Sequence, residues 1–139
     1  GTSVHPKGTF VIMEGPAFST RAESRLYRSW EADIIGMTAL PEAKLAREAE
    51  ICYAIIGCVT DYDSWWHSAE PITIDVILNT VRHNIDTAKQ IIKLAVSRIS
   101  QKRDCDCATA LENAIVTAPE AIPPEQKKKL NLLIGKYIK

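Results

Sequence analysis

Apolar positions fall into short runs in the first half of the chain and into a helical period in the second. Gly8 to Met13 (GTFVIM) reads as a strand, because Thr, Phe, Val and Ile suit a pleated, half-buried surface. Glu14-Gly15-Pro16 ends it, since Gly tolerates unusual φ and Pro removes a donor. Ser19 or Thr20 then caps a helix running from about Arg21 to Trp30. Glu23, three residues after Thr20, completes a T-x-x-E capping box. Asp33 to Met37 (DIIGM) predicts a second strand. Pro41 reads as the first residue of a helix reaching Ala49, with Glu42 near its positive end. Ala54 to Val59 is a β-rich apolar run stopped at Thr60, the mark of a buried strand. From Thr73 to Ile99, Ile74, Ile77, Leu78, Val81, Ile85, Ala88, Ile92 and Ala95 recur near the helical period. Ala108 to Val116 and Glu125 to Ile138 predict two more helices, the last opened by Pro123-Pro124.

The alternation strand, helix, strand, helix, strand predicts an α/β fold with a central, largely parallel sheet and flanking helices over residues 1–66. Residues 67–139 are expected to be mainly helical. At 139 residues the chain is expected to be one domain, or part of one. Three strands make too small a parallel sheet to be covered on both faces, which points to a missing part of the fold or to another chain. The start at Gly1-Thr2-Ser3, without Met, suggests a fragment or a processed chain.

Composition adds exclusions. The 17 basic and 17 acidic residues balance, which disfavours nucleic acid or an anionic membrane as the main partner. No apolar run approaches the length of a membrane span, and no signal peptide opens the chain; a cytoplasmic protein is expected. Lys127-Lys128-Lys129 reads as a solvated helix face.

The chemistry concentrates in Cys52 to Trp66 (CYAIIGCVTDYDSWW). Ligand groups gather where strands of an α/β sheet end, and Asp61 and Asp63, two apart, point the same way if the chain there stays extended. They would then grip a pair of donors or share a proton; the plainer alternative is a loop start capping backbone N–H groups. Cys52 and Cys58 read as buried small apolar groups. Cys105-Asp106-Cys107 does not have structural-zinc spacing, and no metal site is expected. A strained Cys105–Cys107 disulfide and two free thiols are equally compatible with it.

Glu14 to Ser24 (EGPAFSTRAES), Gly36 to Glu42 (GMTALPE) and Val59 to Asp63 (VTDYD) stand in the order found in the trimeric nucleoside phosphorylase family. From about His5 to Leu78 the chain resembles that family in register, and within it the branch acting on 5′-methylthioadenosine. The resemblance covers the C-terminal half of such an enzyme. The family's Gly-rich phosphate turn, its Arg-His pair and its Thr-Ala pair have no match here. It implies phosphorolysis of 5′-methylthioadenosine to adenine and 5-methylthioribose 1-phosphate in purine and methionine salvage. Phosphate is the co-substrate, no cofactor is needed, and the N-terminal half is supplied elsewhere.

By the same resemblance, Asp61, its pKa raised by burial, is the general acid at purine N7, and Asp63 accepts from the 6-amino group. Phe18 stacks on the base and Ser19 bonds its edge; their plainer readings are a core Phe and a helix cap. Met37 and Thr38 contact ribose and phosphate, Thr38 through its hydroxyl; strand-end packing is the alternative. Ile72, Ile74, Ile77 and Leu78 form the 5′-methylthio pocket, or simply helix core. Trp65, Trp66 and His67 lie on a loop suited to a lid, with no role assigned to His67. Family members are trimers or pairs of trimers. Cys105-Asp106-Cys107 is similar to a Cys-x-Cys of archaeal members, which suggests a thermophile. If the missing half carries cysteines, Cys52 and Cys58 could pair with them. Glu31 stands where the family carries Gly, which strains the backbone if φ is positive there. Two other readings compete: a phosphorylase for 6-oxo purines or of broader specificity, and a non-catalytic fragment or subunit needing its other half.

Overall fold

A computed structural model of the chain describes residues 3–67 and 73–138. Two three-residue strands form a parallel pair, β1 (Phe10–Ile12) beside β2 (Ile34–Gly36), in the register Phe10↔Ile34, Val11↔Ile35, Ile12↔Gly36. Between them runs α1 (Arg21–Ser29), and after them α2 (Ala39–Glu48), α3 (Ile74–Val96) and α4 (Pro124–Ile134). The fold is α/β, as the sequence predicts. The chain divides into two compact units, Gly1–Ala39 with Ile55–Ile99, and Leu40–Ala54 with Ser100–Lys139.

The first unit is built on the β1–α1–β2 crossover. α1 starts where the sequence says. The Thr20 side chain accepts from the Glu23 N–H at 3.3 Å, and the Glu23 carboxylate accepts the Thr20 N–H at 2.7 Å. These two bonds satisfy orphan donors of the first turn. The cap is therefore Thr20, which leaves Ser19 free for other work. Gly15 sits at φ +73°, and a Cβ there would come 2.7 Å from Met37 Sδ, so only Gly fits the turn leaving β1.

Three predicted elements are corrected. Ala54 to Val59 forms no strand and its residues are exposed. A strand needs a ladder partner, and among the described residues this segment pairs with none. It lies beside β2 through side-chain contact, since a Cβ on Gly57 would stand 3.0 Å from Ile34 Cδ1. Ala108 to Val116 is not a helix. A 3-10 turn over Asp106–Thr109 passes into further turns. Pro41 is the third residue of α2 rather than the first. Cys52 and Cys58 are exposed rather than buried, because the segment that holds them is. All four cysteines are free thiols, so Cys105 and Cys107 are not bonded to each other. Lys128 and Lys129 are exposed, as expected of a solvated face, while Lys127 is half-buried.

Glu31 has φ 58°, in the left-handed region that a Gly would occupy without strain. Glu31→Gly is therefore expected to stabilise the protein by about 1 kcal/mol, because the left-handed penalty disappears while the exposed side chain loses no contact that matters. Chemical denaturation reads this directly; an unchanged or lower midpoint would show that the turn carries no strain.

Candidate functional site

The site is assembled in the first unit from the turn before α1 and the segment after residue 59. Asn84 of α3 donates to the Val59 carbonyl at 2.8 Å, which ties that segment to the long helix. Ser19 is buried, and its hydroxyl reaches both oxygens of Asp63 at 2.9 Å. Ser64 returns a bond to the Ser19 carbonyl at 3.3 Å. Segments 44 and 45 residues apart in sequence are thus stapled together by two side chains.

Asp63 is held below the usual carboxylate range. Burial pulls its pKa up, but the Ser24 hydroxyl, the Ser64 N–H and the Ser19 hydroxyl together outweigh that pull. Ser24 is 1% exposed, and among the described residues its hydroxyl makes no hydrogen bond of regular geometry. Its influence on Asp63 is therefore one of proximity. Asp61 is exposed and accepts from the neighbouring Thr60 hydroxyl at 2.5 Å. The burial expected of Asp61 is thus absent, and the two carboxylates have different partners rather than a shared proton.

Phe18 is 86% exposed, which removes its reading as a core residue and leaves a bare aromatic face next to Ser19. Met37 is half-buried against the Gly15 turn, and Thr38 is exposed at the start of α2. Ile77 is half-buried, whereas Ile74 and Leu78 are exposed, so the last two are not helix core. Ile72 lies outside the described residues. The expected lid is a packed cluster: Tyr62 stacks on Trp66 with centroids 4.7 Å apart, and the Arg28 guanidinium of α1 sits 3.5 Å over the Trp65 ring.

Sequence reasoning missed Ser24, Ser64 and Cys52. Ser24 was legible in principle, since it lies one helical turn after Thr20 on the inner face of α1. Cys52 was not, because its neighbours are Cys105 and Cys107 of the second unit. The Cys107 N–H and the thiols of Cys107 and Cys52 hold the Cys105 thiol below its ordinary value. Cys107, facing Cys105 and Cys52, is pushed up to about 11.

No described helix is long and apolar enough to cross a membrane. Residues 1–97 match the family model described as the phosphorylase superfamily. The S-methyl-5′-thioadenosine phosphorylase of Geobacter sulfurreducens is 54% identical over 138 residues, 99% of this chain and 48% of that protein. A methylthioadenosine phosphorylase from an antarctic soil metagenomic library aligns with a TM-score of 0.82 and 48% identity, over 91% of this chain and 45% of that one. The methylthioadenosine phosphorylase of Schistosoma mansoni in complex with adenine aligns with a TM-score of 0.64 and 36% identity, over 76% and 37%. The chain spans about half the length of the curated relatives it matches.

Proposed function

Because the chain belongs to the phosphorylase superfamily, we propose that it carries the purine-recognising part of an enzyme that cleaves 5′-methylthioadenosine with phosphate. The observation that carries this reading is the Ser19–Asp63 pair beside the bare face of Phe18. An ionised carboxylate can only accept hydrogen bonds. Fixed in that form by Ser19, Ser24 and Ser64, Asp63 suits the 6-amino group of adenine and disfavours a 6-oxo group. Phe18 offers a flat apolar surface for the ring.

In the reaction a phosphate oxygen attacks C1′, the C1′–N9 bond breaks, and its electron pair moves onto the purine. A proton delivered at N7 neutralises that charge as it develops. Asp61 is assigned that proton; its desolvation would come from the bound base rather than from the fold. Thr38 offers its hydroxyl to phosphate, and Met37 packs against ribose. Ile72, Ile74, Ile77 and Leu78 receive the 5′-methylthio group, which gives the exposed Ile74 and Leu78 a partner. Phosphate is the nucleophile, so the reading needs neither cofactor nor metal. It places the enzyme in the cytoplasm as a homo-oligomer, a trimer or a pair of trimers, completed by the segment that the relatives carry beyond this match.

The test is phosphate-dependent release of adenine from 5′-methylthioadenosine, by the chain alone and by the chain joined to the rest of a relative's length. Activity in the joined protein only would assign this chain to recognition without turnover. Asp63→Asn is expected to lower the preference for the 6-amino over the 6-oxo nucleoside by about tenfold or more, while slowing the 6-amino reaction less. A parent protein that cleaves the 6-oxo nucleoside faster would overturn the assignment of Asp63.

A further inference from the structure

The second unit brings together three sulfurs that the proposed reaction does not use. Cys52 lies shortly after α2, while Cys105 and Cys107 flank the entry to the 3-10 turn. Their Sγ atoms all lie within 4.8 Å of one another, and Cys52 and Cys105 are 3.5 Å apart although 53 residues separate them in sequence. The Cys-x-Cys pair alone offers two ligands; the fold supplies the third. Two sulfurs each about 2.3 Å from a zinc ion, at the tetrahedral angle, stand about 3.8 Å apart. The three thiols are therefore within about 1 Å of the spacing that three-thiolate coordination requires. Cys52 and Cys105 are exposed, and Cys107 lines a cleft with Arg47 and Tyr53, so an ion can reach the site.

We propose that Cys52, Cys105 and Cys107 form a three-thiolate site for a soft d10 cation, zinc(II), with a fourth position open to solvent. Thiolate donors select zinc over the hard cations magnesium and calcium, which prefer oxygen. Among the described residues no His, Asp or Glu joins the three sulfurs as a fourth ligand. An open fourth position makes the site exchangeable, unlike a closed structural zinc centre. Binding transfers the thiol protons to solvent and clips Cys52 to the Cys105–Cys107 turn. The bound ion therefore stabilises the second unit by mass action.

The experiment uses the full chain in a non-thiol reductant with zinc(II) or cobalt(II) alone. The expected result is one zinc per chain by elemental analysis, and sulfur-to-metal charge-transfer absorption with cobalt. Cys52→Ser, Cys105→Ser and Cys107→Ser are each expected to weaken binding about tenfold or more, and Cys58→Ser to leave it unchanged. A folding-independent readout uses the parent protein: zinc should shield Cys52, Cys105 and Cys107 from alkylation and leave Cys58 reactive. Equal alkylation of all four with and without zinc overturns the proposal, as does undiminished binding by the triple Ser variant.

Discussion

Asp61→Ala is expected to lower turnover of 5′-methylthioadenosine by about a hundredfold or more in the complete enzyme, the usual contribution of a positioned general acid. The difficulty of the reaction lies in the leaving group. Adenine departs with an electron pair, and the barrier falls when a donor meets N7 as that charge grows. Asp61 is exposed and, among the described residues, bonded only to Thr60, so its loss removes no packing they make. The variant should therefore keep the parent's melting temperature, which separates a chemical role from a structural one. Asp61→Asn retains a donor at the same position and should keep more activity than Asp61→Ala. A second separation comes from the substrate: with a nucleoside whose base leaves readily without protonation, the deficit of Asp61→Ala should shrink. A deficit equal for good and poor leaving groups would mean that Asp61 binds rather than protonates, and full activity would remove it from the site.

The elements legible in the sequence are those whose determinants are local. The capping box at Thr20 and Glu23 placed the start of α1, and the left-handed turn at Glu31 followed from a Gly position filled by another residue. The helical period between Thr73 and Ile99 became α3, within a few residues at its C-terminal end. What failed depends on distant partners. Ala54 to Val59 has the composition of a buried strand, yet a strand exists only as part of a ladder, and composition cannot supply the neighbour. The Ala108 to Val116 region has helix-forming residues but is held as turns. The Leu111 N–H is spent on the Glu50 carboxylate at 3.2 Å and the Ala108 carbonyl on Lys136 at 2.7 Å. In the candidate site, Asp63 could be singled out from its place two residues after Asp61, but its partners could not. Ser19 could be read as a cap or a ligand contact, and only the fold shows it gripping the carboxylate.

Glu50 is the residue whose removal should disturb the second unit most. It is buried at the end of α2 with φ 55°. Its carboxylate pairs with Lys136 and accepts from the Tyr137 hydroxyl at 2.5 Å and the Leu111 N–H. Its carbonyl accepts from Arg103 at 2.9 Å. One side chain thus joins α2, the turns after Cys107 and the residues following α4. Glu50→Ala leaves a phenol and a backbone N–H without their acceptor, and an unmade bond costs more than a made one contributes. The expected loss is about 5 °C or more in Tm. Glu50→Gln keeps an acceptor without the charge and should lose less. The pH dependence distinguishes the two effects. Hydrogen bonds from Lys136 and Tyr137 hold the Glu50 carboxyl below its ordinary value of 4.5. A depressed carboxyl favours the folded state fully above that ordinary value, and the advantage is lost as pH falls through the lower folded one. Melting between about pH 3 and pH 7 should show the parent losing stability in acid more steeply than Glu50→Gln. Parallel curves for the two proteins would mean that the charge on Glu50 contributes nothing, leaving only its role as a hydrogen-bond acceptor.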